Sequence, residues 1–275
     1  MEQLPSAQDW LDFALQNEPK RDFEQERAMW NAKAPSYAHK RTRSGYLEQL
    51  LKLLELEPGD SVFDMGCGPG VLSIPLAQAG HNVVAVDFSQ GMLAELESAV
   101  VEAGMQERVQ VFQRAWQESW DDLPGADVAL SSRSMTTKNY ADAVAKLESK
   151  ARKRVVVTTG AGETPWTDLA LLKALGRSLE VSDLAADFIA FLNWLIASGR
   201  NPEVRYITTE RRSHSEDAEE LRSFLHKSAD VKPEEEDTFA AFIAQHMRST
   251  ADGGVEMDYT QDNRWAVISW TVAGI

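Results

Sequence analysis

The sequence has a single cysteine, a shortage of basic residues and no long apolar run. With only Cys67, an internal disulfide is excluded, and a reducing compartment is favoured. Lys and Arg total 28 against 43 Asp and Glu, a net charge of -15. That balance argues against a nucleic-acid partner, because phosphate binding needs a basic face. The longest apolar stretch, residues 188–197, is interrupted by Asn193 and is too short to span a bilayer.

Two further signals are missing. The first ten residues lack a basic segment followed by an apolar run, so we expect no secretory signal. His, Cys and acidic residues show no metal-ligand spacing, so we expect no metal. Together these absences predict a cytoplasmic protein that binds neither nucleic acid nor a membrane. At 275 residues with 43% apolar residues, the chain can form one core with a sizeable insertion.

Residues 61–87, SVFDMGCGPGVLSIPLAQAGHNVVAVD, predict a strand, a glycine loop, a helix and a second strand. Glycine has no Cβ, so Gly66, Gly68 and Gly70 allow a sharp turn and let a ligand lie against main-chain N–H groups. Asp87 follows Gly66 by 21 residues, the spacing at which an acid after the second strand meets a bound ribose. The stretch therefore predicts a ligand that contains a nucleoside.

The glycine spacing does not fit a dinucleotide. The fingerprint G-x-G-x-x-G would place its third glycine at Val71, whereas the sequence has Gly70. Asp64, directly before the loop, would repel a pyrophosphate but would favour an ammonium or sulfonium cation. An NAD(P)-dependent oxidoreductase is therefore the weaker of two enzyme hypotheses.

The segments DMGCGPG, residues 64–70, and VVAVDFS, residues 83–89, resemble the first two motifs of the class I S-adenosylmethionine-dependent methyltransferases. The resemblance is strong over residues 28–160 and weaker at the C-terminal strands. It implies that the glycine loop packs on the methionine part of S-adenosylmethionine and that Asp87 binds the ribose. Cys67 is then a small residue tolerated in the loop rather than a reactive thiol.

The resemblance implies further contacts to the cofactor. An aromatic residue at the position of Tyr37, in the N-terminal cap, reaches over the cofactor, although packing of Trp30 and Tyr37 onto the core is an equal alternative. Ala115 stands where the family has an acid and Trp116 where it has a small residue, so main-chain groups and stacking on Trp116 replace the acid's hydrogen bond. Met92 is either a contact to the adenosine or a core residue. The predicted cofactor-binding residues are Tyr37, Asp64, Gly66, Cys67, Gly68, Gly70, Asp87, Phe88, Met92, Ala115, Trp116, Ser131 and Ser132.

Five strand–helix alternations predict a parallel sheet with right-handed crossovers. The fold class is α/β, a Rossmann-like doubly wound seven-stranded sheet that is mostly parallel, with a last strand that the resemblance makes antiparallel. The predicted strands are residues 62–64, 82–87, 109–113, 127–130, 154–159, 203–209 and 264–272. We divide the chain into a helical N-terminal cap (1–55), a cofactor-binding core (56–160), a helical insertion (161–202) and C-terminal strands and helices that complete the core sheet (203–275).

Two helical regions flank that core. Pro35 is predicted to interrupt the helical pattern of the N-terminal cap. The insertion predicts helices at residues 166–179 and 183–198. The second helix either packs on the sheet or forms a lid over an acceptor pocket, where Trp166, Phe191 and Trp194 would exclude water.

Methyl transfer is an in-line displacement, to which the protein contributes mainly by positioning the donor and the acceptor. An oxygen acceptor would need a base, for which His39 is the candidate. We predict a methyltransferase that converts S-adenosylmethionine to S-adenosylhomocysteine and methylates a small-molecule acceptor. The alternatives are an NAD(P)-dependent oxidoreductase and a module that binds S-adenosylmethionine without turnover. A protein or RNA acceptor would need an open groove, against which the bulky apolar insertion argues, and a homodimer stays open.

Overall fold

The computed structural model describes residues 4–16, 18, 22–39, 45–162, 168–177 and 185–272, with the side chain of His39 excepted. The chain divides into two compact units. The first comprises residues 1–159, 187–205 and 266–275, and the second comprises residues 160–186 and 206–265.

Three helices precede the sheet: α1 (Ala7–Gln16), α2 (Phe23–His39) and α3 (Gly45–Leu53). The predicted interruption at Pro35 is wrong, because α2 runs through it. A proline inside a helix removes one hydrogen bond. The buried side chains Ala34 and Ala38, on either side of the proline, hold the helix against the rest of the first unit.

The predicted alternation of strands and helices follows. Its elements are β1 (Val62–Met65), α4 (Ser73–Gln78), β2 (Val83–Asp87), α5 (Gln90–Glu102), β3 (Val109–Gln113), β4 (Ala126–Ser132), α6 (Tyr140–Lys150) and β5 (Ala151–Gly160). Every residue of β1 and β2 is buried, as expected of central strands covered on both faces. The strand β5 begins three residues earlier than predicted, because α6 ends at Lys150 and passes directly into it.

The remaining elements are shorter and more mixed. They are α7 (Leu169–Ala174), α8 (Ala186–Ala197), β6 (Glu203–Arg211), β7 (His214–Ser215), α9 (Ala218–Ser228), a 3₁₀ turn (Pro233–Glu235), α10 (Glu236–His246), β8 (Met247–Ser249), β9 (Val255–Met257) and β10 (Gln261–Thr271).

The large sheet has the strand order β3-β2-β1-β4-β5-β10-β6. It is mostly parallel with one antiparallel strand, so the predicted fold class is confirmed. The order reverses between β1 and β4, where Asp64 lies opposite Leu130. Ligands of doubly wound sheets bind beyond the carboxyl ends of the strands at such a switch point.

The helix α8 was predicted as either a lid or a packed helix. Phe191 and Trp194 are buried, and their ring centres lie 5.1 and 6.1 Å from that of Tyr140 on α6. These two side chains are therefore part of the core of the first unit. Trp166, the third residue of the predicted lid, lies outside the described residues.

The second unit has its own core. Its three-stranded sheet has the order β7-β9-β8, and the buried side chains of α7, α9 and α10 form an apolar cluster with β9. Residues 203–275 were predicted to complete the large sheet, and of the described strands in that range β6 and β10 do so. The four-part division of the chain stays a prediction.

Candidate functional site

The glycine loop after β1 has the conformation that only glycine adopts easily. The φ angles of Gly66, Gly68 and Gly70 are +75°, +54° and +91°. The loop is hydrogen-bonded to the end of β2. The N–H groups of Gly66 and Cys67 both donate to the carbonyl of Val86, at 2.7 and 3.0 Å. The loop therefore lies at the carboxyl edge of the sheet, as predicted.

Two of the glycines differ in what surrounds them. A Cβ on Gly66 would lie 2.2 Å from the Cβ of Ser134, so this glycine is required by the close approach of the chain after β4. A Cβ on Gly68 would meet no atom within 4 Å. The surface over Gly68 is thus open to a ligand, whereas that over Gly66 is filled by protein.

Asp87 is held in place by the loop and by the start of α5. It is 6% exposed, and its two oxygens accept from the N–H groups of Gly68 and Ser89, each at 2.9 Å. Burial raises the pKa of Asp87, and the backbone N–H groups of Ser89, Gly68 and Phe88 act in the opposite direction. A carboxylate has about four acceptor positions, so acceptor capacity remains for a ribose.

Asp64 lies beneath the loop. It is 1% exposed, and one of its oxygens accepts from the hydroxyl of Ser73 at 2.7 Å. Burial raises the pKa of Asp64 to about 6, and the charge of Asp87 adds to the effect. At neutral pH the protein therefore contains a buried carboxylate with no cation bonded to it among the described residues.

Replacing Asp64 with asparagine should stabilise the unliganded protein at neutral pH. The pKa of this carboxyl is higher in the folded state than the unfolded value of about 3.9, so its contribution to stability is lost as the pH rises from about 4 to 6. The amide keeps an acceptor for Ser73 and carries no charge. We expect a gain of on the order of 2 kcal/mol in the free energy of unfolding at pH 7.5, and little change at pH 4, by urea denaturation.

Asp127 provides a control of opposite sign. It accepts from the N–H and hydroxyl of Ser61 and from Arg152, and the Arg152 guanidinium holds its pKa below the usual range. The ionised Asp127 side chain stabilises the folded protein above pH 4, and this stabilisation is lost as the pH falls through the lowered pKa. Asp127→Asn should therefore destabilise the protein at pH 7.5. A loss of stability in both variants would contradict the assignment of a costly charge to Asp64.

Cys67 is not a reactive thiol. It is 6% exposed, and burial, together with the charges of Asp87 and Asp64, raises its pKa well above the usual value. The thiol therefore stays protonated at neutral pH.

The predicted contacts Phe88 and Met92 lie where α2 meets the start of α5. The rings of Phe88 and Phe23 are 5.5 Å apart between centres, and Met92 is 3% exposed. The side-chain oxygen of Asn31, on α2, accepts from the Gly91 N–H at 2.9 Å. Helix α2 thus packs against the start of α5, next to Asp87 at the end of β2.

The turn after β3 contains an acid that the sequence analysis did not select. Glu118 accepts from the N–H of Ala115 at 2.6 Å, so a carboxylate lies at this turn although the motif position itself is Ala115. Trp116 is 6% exposed; its ring centre lies 5.1 Å from that of Trp120, and its indole N–H donates to the carbonyl of Ser134 at 2.9 Å. Stacking of a ligand on Trp116 stays a prediction.

The serines at the end of β4 belong to the same edge. Ser131 is fully buried, and its hydroxyl lies 2.9 Å from that of Ser134, which donates to the carbonyl of Met65 at 2.6 Å. This chain of contacts joins the end of β4 to the end of β1. Ser132 faces the next strand and bonds to a tyrosine hydroxyl.

That tyrosine, Tyr46 on α3, and Arg133 were both missed from the sequence. The Tyr46 hydroxyl lies 2.8 Å from the Ser132 hydroxyl and 2.7 Å from that of Thr158, so it joins the ends of β4 and β5. The guanidinium carbon of Arg133 lies 4.1 Å from the centre of the Tyr46 ring. Arg133 has a φ of +56°, which is costly for a residue other than glycine and typical of functional sites.

The two missed residues differ in how they could have been found. Arg133 lies inside the polar stretch SSRS that follows the predicted fourth strand, so its position at the edge was available from the sequence. Tyr46 is 86 positions from Ser132 and 112 from Thr158, and no local pattern indicates that pairing.

Tyr37 packs on Trp30, and its predicted reach over the cofactor stays a prediction. Its ring packs edge-on against Trp30, with 5.4 Å between centres. Burial raises the pKa of Tyr37, and the charge of Arg133 opposes that rise, so the phenol lies within electrostatic reach of the strand edge. The backbone of His39 ends α2, and its side chain lies outside the described part of the structure.

Neither a metal centre nor a membrane span is found in the described regions. No group of three or more His, Cys, Asp or Glu side chains there could hold a metal ion. Each helix there is too short or too polar to cross a bilayer.

Known proteins resemble this chain both over one domain and over most of its length. The family described as a methyltransferase domain matches residues 62–153. An uncharacterized protein of Haemophilus influenzae is 32% identical over 248 residues, which cover 88% of each chain. The magnesium protoporphyrin IX methyltransferase of Arabidopsis thaliana is 37% identical over 120 residues, 43% of this chain and 38% of that protein.

Among solved structures, the precorrin-6y C5,15-methyltransferase of Geobacter metallireducens has a TM-score of 0.50 and 12% identity, and covers 83% of this chain and 88% of that one. A candidate methyltransferase from Bacillus halodurans has a TM-score of 0.51 and 14% identity, and covers 83% and 99%. At these identities the likeness concerns the fold.

Proposed function

Because the chain belongs to the class I S-adenosylmethionine-dependent methyltransferases, an enzyme family whose cofactor is S-adenosylmethionine, we propose that it methylates a small-molecule acceptor. The observation that carries the proposal is the cover over the carboxyl ends of β4 and β5. Tyr46 bonds to both strand ends, Arg133 lies over the Tyr46 ring, and the charge of Arg133 acts on Tyr37. In this proposal helices α2 and α3, which carry Tyr37 and Tyr46, restrict the approach of a large acceptor.

The residues at the strand edge fit the cofactor. Asp87 has acceptor capacity left for the ribose, and the open surface over Gly68 suits the methionine part. The carboxylate of Glu118, held at this turn by the N–H of Ala115, suits the amino group of adenine. Phe88, Met92, Ser131, Ser132 and the remaining predicted residues stay proposals for the same site.

S-adenosylmethionine supplies an electrophilic methyl group on a sulfonium when bound. Asp64 and Asp87 give the loop a negative potential that favours this cation over the neutral product. The protein's contribution is then to hold the acceptor in line with the methyl group, with the acceptor atom about 3 Å from the reacting carbon.

The tyrosines at the edge act as hydrogen-bonding groups rather than as bases. Burial raises the pKa of both Tyr37 and Tyr46, so each phenol is protonated at neutral pH. Tyr46 holds the ends of β4 and β5 through its two hydroxyl contacts, and Tyr37 is the phenol proposed to donate to an oxygen of the acceptor. An acceptor with a neutral amine or a thiolate needs no base, whereas an alcohol would require one, and His39 stays the proposed candidate.

Two measurements test the proposal. In the first, the protein is titrated calorimetrically with S-adenosylmethionine, S-adenosylhomocysteine and NAD. We expect saturable binding of the first two only. Binding of NAD alone would contradict the cofactor assignment.

In the second, the protein is incubated with methyl-labelled S-adenosylmethionine and three cell fractions: small molecules, total RNA and protein. The proposal expects label in the small-molecule fraction, and none with Asp87→Asn. Label in RNA or protein would contradict a small-molecule acceptor, and label in no fraction despite intact binding would favour the alternative that the protein binds S-adenosylmethionine without turnover.

A further inference from the structure

The second unit contains a polar strand face where a core face is expected. Along the end of β6 and the residues after it, the covered side chains alternate with exposed ones, and Arg211 and Ser213 are on the covered side. At the start of β10 the covered positions are Gln261 and Asn263. Side chains that turn inward along a strand are usually apolar, so this polar patch needs another explanation.

One carboxylate organises the neighbourhood. Asp168 is 4% exposed and caps the first turn of α7 by accepting from the Leu171 N–H at 2.9 Å. Its other oxygen accepts from the hydroxyl of Tyr259 and from the amide of Gln261, each at 2.8 Å. Burial and the charge of Asp168 raise the pKa of Tyr259, so this phenol remains a donor. Asp168 therefore accepts from three neutral donors.

Arg211 lies in the electrostatic field of Asp168 but does not bond to it. Its Nε and Nη2 atoms are both buried, and neither has a hydrogen-bond partner among the described residues. In the same described part of the chain, the hydroxyl of Ser213 and the side-chain oxygen of Asn263 are buried without a partner, in residues that are 3% and 5% exposed. Buried polar atoms are nearly always paired, so four such atoms in one unit indicate a missing polar ligand.

The chemistry of these groups selects the ligand class. Nε and Nη2 form one side of the guanidinium, and their two N–H groups match the two oxygens of a carboxylate. Asp168 contributes a negative charge nearby, which disfavours a doubly charged phosphate more than a singly charged carboxylate. Ser213 and Asn263 offer a hydroxyl and an amide to the rest of the ligand.

We propose that the second unit binds a small organic carboxylate through the Nε and Nη2 edge of Arg211, with Ser213 and Asn263 as further polar contacts. The site consists of residues of the second unit alone. Its existence does not depend on the methyl-transfer reaction.

The test observes Arg211 directly. In protein labelled with ¹⁵N-arginine, the Nε–H resonance of Arg211 is assigned from its absence in Arg211→Lys. The full-length protein is then titrated with sodium acetate, sodium lactate, sodium phosphate and sodium chloride at equal ionic strength. We expect a saturable shift with the two carboxylates within about 100 mM, as befits ligands this small. No shift with either carboxylate, or a stronger response to phosphate, would overturn the proposal.

The neighbouring Arg212 provides a matched control, because it is exposed and paired with Glu256 at 2.7 Å. With acetate binding followed calorimetrically, Arg211→Gln should raise the dissociation constant at least about tenfold, and Arg212→Gln by less than about twofold. Arg211→Met should melt no lower than Arg212→Met, because it removes an unpartnered buried charge. A much lower melting temperature for Arg211→Met would make Arg211 a structural residue and refute the site.

Discussion

Replacing Asp87 with asparagine should lower the affinity for S-adenosylmethionine about 100-fold without unfolding the protein. Asp87 accepts from the Gly68 and Ser89 N–H groups, and the amide can accept with one atom only. In the variant, either the Gly68 N–H or the Ser89 N–H faces the side-chain NH₂ of the asparagine and loses its acceptor. The ribose hydroxyls likewise lose one of the two oxygens that could accept from them. Losing two hydrogen bonds to a charged group costs about 3 kcal/mol, or a factor of about 100.

The stability of Asp87→Asn should change much less than its affinity. Burial raises the pKa of Asp87, so its ionised form costs folding free energy at neutral pH, and the neutral amide relieves that cost. The measurements are calorimetric titration with S-adenosylmethionine and S-adenosylhomocysteine, and differential scanning calorimetry. A dissociation constant within about threefold of wild type would remove Asp87 from the site.

Asp60→Asn serves as the control for that variant. Asp60 is also 6% exposed and accepts from a backbone N–H, that of Glu57, at 2.9 Å, but its charged partner is Lys153. Because these contacts hold its pKa below the usual range, Asp60→Asn should lower stability above pH 4. It should leave the affinity for the cofactor unchanged.

Alanine at Gly66 should cause the largest loss of stability in the glycine loop. The positive φ costs about 1 kcal/mol, and the new Cβ would overlap Ser134, which adds about 1–3 kcal/mol. Because Ser134 also bonds to Met65 and Trp116, its displacement should disturb both strand ends and the turn after β3. We expect a loss of about 2–4 kcal/mol by urea denaturation, and a loss of cofactor binding.

Two other glycines separate the causes of that effect. Gly68 has a positive φ and open surroundings, so Gly68→Ala should cost about 1 kcal/mol of stability. It should still weaken cofactor binding, because the ligand is proposed to lie over Gly68. Gly104→Ala, at the end of α5, has a φ of +66° and open surroundings, and should cost the same stability with unchanged binding. Equal affinities of Gly68→Ala and Gly104→Ala would mean that the loop does not contact the cofactor.

Much of the fold was available from the sequence because its signals are local. Three signals depend on a few neighbouring residues each: the glycine spacing before Val71, the apolar runs of β1 and β2, and the acid Asp87. The loop, both strands and this acid lie at the predicted places in the fold. The interruption at Pro35 was wrong, because packing of the flanking alanines outweighs the local preference of proline.

Other parts of the candidate site depend on contacts that no local pattern encodes. Ser134 fills the space over Gly66, and Tyr46 joins the ends of β4 and β5. The partner of the Ala115 N–H is Glu118, which stands outside the expected motif position.

The strand–loop–helix unit, the family resemblance and the class of cofactor follow from the sequence, because backbone preferences and motif spacing act over short distances along the chain. Which groups are charged and which are paired follows from the fold instead. The raised pKa of Asp64, the cover formed by Tyr46 and Arg133, and the unpartnered edge of Arg211 all arise from burial and from contacts between distant residues. The physical reason is that desolvation and hydrogen-bond satisfaction belong to the folded environment of a group, and neighbouring residues in the chain do not specify that environment.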